Sequence, residues 1–179
     1  LSFRVRLVDI GGGFPRAYPG FPVPPMAEFH AAVAETAAQL PLAEDGALLA
    51  EPGRALAAPG LSAVVEVLLR KDDRLYINDG MYGVFWELRF KAHKRFAARA
   101  WRDGQPHEGP TALFNLYGPT CDASDVLPGA VELPADIGAG DYLEFGQIGA
   151  YSLSGRTRFN GHYSDCIVRI STEAAKPPL

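Results

Sequence analysis

Residues 4–13, RVRLVDIGGG, run a β-branched strand straight into three adjacent glycines, and this junction constrains the fold more than any other stretch. Beyond it, Pro24 and Pro25 mark a helix start. Phe29, Val33, Ala37 and Leu40 then recur at spacings of three and four, one face of an amphipathic helix that Pro41 stops. Residues 47–51, ALLAE, form a second short strand that ends at Pro52-Gly53-Arg54. Strand, loop, helix, strand, with both loops at strand C-termini, is the β/α pattern of a parallel sheet or barrel.

After Pro59 the pattern changes. Val64, Val65, Val67 and Leu68 belong to a strand that turns at Lys71-Asp72-Asp73 and returns as RLYIND. Further strands are expected over 95–101, 111–117, 142–148 and 163–171, separated by the turn clusters RDGQPHEGP and LPGAVELPADIGAGD. The expected fold class is therefore α/β plus all-β: residues 1–56 end an α/β domain, and residues 57–179 form an antiparallel β-barrel or sandwich.

A net charge of -4 with no basic stripe excludes a nucleic-acid footprint. No run of 18 apolar residues exists to form a membrane-spanning helix. Arg4 and Arg6 interrupt the first apolar run, so it is no signal peptide. Cys121 and Cys166 make no disulfide framework and read as free thiols of a reducing cytoplasm. A chain that begins at Leu1 and enters a strand at once reads as a segment of a longer protein.

Gly11, Gly12 and Gly13 let backbone N–H groups cradle an anion, although a glycine triplet is as simply a tight turn. Arg16 stands where a dinucleotide fingerprint needs glycine. In AEPGR, Arg54 suits a bidentate grip on phosphate, and Glu51, ending an apolar strand, must be paired or costly, with a Glu51–Arg54 ion pair as the structural alternative. The two loops together describe a pocket for a phosphorylated ligand with one cationic group. Taken singly, NDG at 78–80 is a hairpin turn, GQIGAYS at 146–152 a strand with Tyr151 in the core, and FNGHY at 159–163 another turn. His30, His93, His107 and His162 have no metal-ligand spacing, and no G-x-S-x-G element supports a serine hydrolase. YGPTCDASD at 117–125 places Cys121 and Asp122 in a polar loop, where a core cysteine has no business.

In this order, VDIGGGFP (8–15), AEPGR (50–54), YINDGMYG (76–83), GPTCDASD (118–125), GAYS (149–152) and RFNG (158–161) resemble the fold-type III pyridoxal 5'-phosphate (PLP) decarboxylases of basic amino acids, the ornithine/lysine decarboxylase family. The resemblance covers that family's C-terminal part: the last β/α units of a PLP-binding, TIM-like barrel and most of the β domain after it. It implies that Gly11, Gly12, Gly13 and Arg54 hold the cofactor phosphate with a donor from Tyr151, and that Glu51 faces the pyridine nitrogen. It implies that Asp79 meets the distal ammonium of ornithine or lysine. Cys121, Asp122 and Phe159 would act at an interface between the two copies of a homodimer, with Asp122 sharing the ammonium and Cys121 guiding reprotonation of Cα. The family's Schiff-base lysine has no match among Lys71, Lys91, Lys94 and Lys176, so the chain alone is expected to be inactive. Two alternatives stand beside this one. A non-catalytic relative would use the same surface to bind a partner, and the diaminopimelate decarboxylases share the glycine loop but typically carry Glu where Asp122 stands.

Overall fold

The computed structural model describes residues 3–90 and 96–170. Strands β1 (Val5–Asp9) and β2 (Leu42–Leu49) pair in parallel, with Leu7 opposite Ala47 and Asp9 opposite Leu49. Helix α1 (Met26–Ala37) makes the crossover. Its half-buried positions are Met26, Phe29, Val33 and Ala37, the stripe legible in the sequence, and its other positions are exposed. β2 begins at Leu42 rather than at residue 47, because Val5 pairs with Leu42; the register then shifts before Leu7 meets Ala47, and Asp45 in that irregular stretch pairs with Arg6 on the solvent side at 2.5 Å. The ladder also continues past its strands. Ile10 N–H donates to the Leu49 carbonyl at 2.9 Å and Glu51 N–H to the Gly11 carbonyl at 2.8 Å, which draws the glycine loop against AEPGR.

A short helix, α2 (Arg54–Ala57), leads into the β domain. Its strands are β3 (Ala63–Lys71), β4 (Arg74–Ile77), β5 (Ala98–Arg102), β6 (Gln105–His107), β7 (Thr111–Tyr117), β8 (Val131–Pro134) and β9 (Tyr142–Phe145). They form one sheet in the order β6-β5-β9-β3-β4-β7-β8, antiparallel except for β4 beside β7. The sheet curls until β5 meets β8, giving a nearly closed barrel. Period-two burial drives this: Ala63, Val65 and Val67 point inward while Val64 stays exposed. Phe85, Phe114, Phe145, Leu116 and Leu143 fill the interior, and each such side chain contributes roughly 1.5–3 kcal/mol.

Four sequence expectations change. The two turn clusters contain strands β6 and β8, short edges too brief to show periodicity. Residues 163–170 form no strand: no described strand runs beside them, and Ile167, Val168 and Ile170 stay exposed. NDG is not a hairpin turn between two strands, since β4 leads into a series of turns ending in a 3-10 turn at Trp86–Arg89. Tyr151 is exposed rather than in the core, because its left-handed backbone (φ 65°) caps helix α3 (Ser152–Gly155) and turns the ring outward. The strand start at residue 95, its far limit at 171, His93, Lys91, Lys94 and Lys176 lie outside the described residues.

The barrel seam is closed by charge. Arg102 grips the buried carboxylate of Asp141 through Nε and Nη2, each at 2.7 Å, and reaches Asp136 at 2.9 Å. His107 meets the other oxygen of Asp136 at 2.8 Å. The Arg102 hydrogen bonds hold Asp141 below its ordinary pKa, against the opposing effect of burial. A depressed carboxylate stabilises the fold above its unfolded-state pKa of about 3.9, and that contribution fades as pH falls through the lower folded value. Denaturant midpoints measured from pH 6 downward should therefore fall steeply below about pH 4 in the native sequence. In Asp141→Asn the starting midpoint should be lower and the acid slope shallower.

Candidate active site

The glycine loop follows β1 and AEPGR follows β2, so both stand at the same end of the parallel pair. Gly11 and Gly13 take positive φ (70° and 85°) with open space where a side chain would project. A Cβ on Gly12 would lie 2.7 Å from the Glu51 carbonyl oxygen, so the close approach of the two loops requires glycine there. Gly12, Gly13, Glu51, Arg54 and Tyr151 line one cavity of about 780 Å³, whose far wall is Trp86, Glu87 and Phe90 of the β domain. That volume lies within the range of small-ligand and cofactor pockets.

Arg54 is the charge at its centre. Nη1 donates to the Tyr18 hydroxyl and to Glu87 Oε2, both at 3.0 Å, and Nη2 makes an ion pair with Glu87 Oε1. The guanidinium also lies over the Tyr151 ring, 5.0 Å from its centroid. Burial pulls the Arg54 pKa down, but the hydrogen bonds to Glu87 and Tyr18 outweigh it and the net shift is upward. The Glu51–Arg54 ion pair, the structural alternative for AEPGR, does not form. Glu51 is exposed, and among the described residues no hydrogen-bond or ion-pair partner engages its carboxylate. Glu87, an acid inside the apolar run GVFWELRF, takes its place; a charge in such a run was the available signal.

A second cluster surrounds Tyr82. Its hydroxyl hydrogen-bonds Asp122 Oδ2, its ring stacks on Phe159 at 4.3 Å, and the Arg89 guanidinium covers the ring at 4.4 Å. Ser124 N–H donates to Asp122 Oδ1 at 2.8 Å. The Tyr82 hydrogen bond, followed by those of Ser124, holds the Asp122 pKa below its ordinary value. Cys121 is exposed, and Asn160 Nδ2 donates to its Sγ at 3.2 Å. Cys121, Asp122 and Phe159 are thus brought together, anchored rather than hanging free, around a residue that sequence reasoning passed over.

Asp125 was missed as well. It is 1% exposed and accepts from Met81 N–H at 2.7 Å, Thr120 N–H at 3.1 Å and the Thr120 hydroxyl at 2.7 Å. A Cβ on Gly80 or Gly118 would overlap its carboxylate. Asp79 stands in the same turn and accepts from the N–H groups of Gly80 (2.7 Å) and Val84 (3.2 Å). Burial raises the Asp79 pKa and the charge of Asp125 adds to this, while those two hydrogen bonds and Arg156 oppose it.

Residues 61–149 match the family described as pyridoxal-dependent decarboxylase, C-terminal sheet domain. The chain is 33% identical over 178 residues to antizyme inhibitor 2 of Xenopus laevis, covering 89% of this chain and 38% of that protein. It superposes on the lysine/ornithine decarboxylase of Vibrio vulnificus complexed with cadaverine with a TM-score of 0.74 and 34% identity, over 88% of this chain and 42% of that one. SrLDC in complex with PLP and cadaverine gives a TM-score of 0.74 at 27% identity, over 88% and 40%. The chain thus spans about two fifths of the length of these relatives.

Asp125→Ala should strand one buried and two half-buried donors and destabilise the domain by about 2 kcal/mol in urea titrations, with amide exchange of residues 118–125 accelerating most. Tyr82→Phe should lower stability modestly at neutral pH and raise the Asp122 pKa toward about 3.9, followed by carboxyl carbon NMR.

Proposed function

Because the chain belongs to the family of PLP-dependent ornithine, lysine and arginine decarboxylases, of which it carries the C-terminal sheet-domain region, we propose that it forms part of an enzyme that removes the α-carboxyl group of a basic amino acid such as ornithine or lysine. Residues 1–56 then end the cofactor-binding barrel and residues 57–179 are the β domain. The observation that carries this reading is the convergence of the glycine loop, Arg54 and Tyr151 on one cavity.

The residues present fit the cofactor. The open side of Gly12 and Gly13 offers backbone N–H donors to a phosphate while Gly11 N–H is held by Asp9 Oδ1 at 2.8 Å, half-buried Arg54 supplies the cation, and the Tyr151 hydroxyl adds a donor at the rim. Glu51, unpaired in the same cavity, holds a proton at the ring nitrogen. When bound, PLP supplies an electron sink for the pair of electrons left as CO₂ departs. Asp79 and Asp122 bind the distal ammonium of the substrate. The raised pKa of Asp79 supports this role, since a cationic ligand relieves the burial and repulsion that raise it. Tyr82 keeps Asp122 ionised for the same task. Cys121 delivers a proton to Cα, and Phe159 excludes water beside it.

The exposed Cys121–Asp122 edge supports action across a homodimer, each copy completing the other's site in the cytoplasm. The Schiff-base lysine then belongs to the portion of the relatives that this chain does not span, and the chain by itself is inactive. A second reading, a non-catalytic protein that binds a partner, draws on the similarity to antizyme inhibitor 2. One experiment separates the two. Full-length Cys121→Ala subunits, mixed with full-length subunits lacking the lysine, should regain about a quarter of wild-type decarboxylase activity, since sites at distinct positions act independently. A mixture whose subunits exchange but which stays as inactive as its parents refutes the shared site.

A further inference from the structure

Glu87 is a buried carboxylate that the chemistry above does not use. It is 5% exposed, on the 3-10 turn Trp86–Arg89, between the buried Phe85 and Leu88. Burying a carboxylate there is costly unless it is paired, and its partner Arg54 comes from the other side of the cavity, at the start of α2. The pairing uses a specific part of the guanidinium. A guanidinium offers five N–H donors in a rigid plane. The two oxygens of Glu87 take one proton each from Nη1 and Nη2, the end-on fork, and the Tyr18 hydroxyl takes the second Nη1 proton. What remains is Nε–H with the other Nη2–H, two parallel donors along one edge. Such an edge matches two oxygens of a phosphate.

We propose that Glu87 is a positioning residue of the anion site: with Tyr18 it locks the Arg54 guanidinium so that the Nε/Nη2 edge alone is presented to a phosphate. Glu87 touches neither phosphate nor substrate and acts through Arg54. The inference rests on the reading of Arg54 as the phosphate cation. It adds that the β domain, through Glu87, sets the geometry of a contact supplied by the α/β segment. Long side chains lose rotamer freedom when they bind, so an Arg54 already fixed binds more tightly than one that must be ordered by the ligand.

The test is a double-mutant cycle in the complete protein that carries this chain, with PLP and pyridoxal as probes. The two share a ring and differ in the phosphate. Binding is read from quenching of tryptophan fluorescence, since Trp86 lines the cavity. Arg54→Ala should weaken PLP far more than pyridoxal; equal weakening overturns the phosphate reading itself, whatever Glu87 does. Given that result, Glu87→Ala should weaken PLP about tenfold, leave pyridoxal unchanged, and have no further effect in the Arg54→Ala background. Glu87→Gln, which keeps the shape and one acceptor, should give an intermediate loss for PLP alone. If replacing Glu87 weakens both probes alike, or adds in full to Arg54→Ala, Glu87 is merely part of the scaffold and the proposal is wrong. Should Glu87→Ala fail to fold, Glu87→Gln in both backgrounds closes the same cycle.

Discussion

The buried carboxylate of Asp125 holds the candidate site together. It lies within the loop that carries Cys121 and Asp122, yet one of its three hydrogen bonds goes to Met81 in the turn that carries Asp79. The two loops follow β4 and β7, which pair in parallel, and Asp125 carries that pairing on past the ends of the strands. Gly80 and Gly118 leave the space it occupies. Because the group is sealed from water, its hydrogen bonds cannot be exchanged for solvent, and the spacing of the two loops becomes part of the core. Tyr82 extends this arrangement outward, and its backbone carbonyl accepts from Thr157 N–H at 2.8 Å, which ties in the segment bearing Phe159 and Asn160.

The loops of the α/β segment depend on a different device. Their contact is made by backbone hydrogen bonds that prolong a parallel ladder beyond its strands. No side chain specifies it, so it tolerates little except glycine at the closest point. From this segment Arg16 reaches the Gln147 amide oxygen at 3.3 Å, while Arg54 crosses to the β domain and is answered there by Glu87. A buried pair of this kind contributes little net stability but penalises any arrangement in which either charge is left alone. It therefore selects one orientation of the guanidinium.

Sequence reasoning succeeded where a residue's role follows from its neighbours along the chain. The helical stripe Phe29, Val33, Ala37, the glycine loop and AEPGR are local patterns, and they lie where the patterns place them. It failed where the role is set by a distant partner. Arg54 is paired with Glu87 across 33 residues, Tyr82 with Asp122 across 40, and Met81 with Asp125 across 44. Nothing beside Glu51 announces that its nearest cation is already taken. Tyr151 reads as a core tyrosine within GQIGAYS, and only its positive φ turns it to the cavity rim. Residues 163–170 carry the composition of a strand, but composition cannot supply the neighbouring strand on which pairing depends.

The short stretch from Asp79 to Phe90 touches both ends of the candidate site. Asp79 stands at its start, Tyr82 holds Asp122, Arg89 covers Tyr82, and Glu87 grips Arg54. Trp86 and Phe90 wall the cavity that Gly12 and Gly13 open into. Phe85, wholly buried and edge-on to Phe145 at 4.9 Å, nails the stretch to the barrel interior. The cavity wall and the residues around Asp122 are therefore carried by one segment, whose placement is set by the packing of Phe85 in the barrel core rather than by two independent loops.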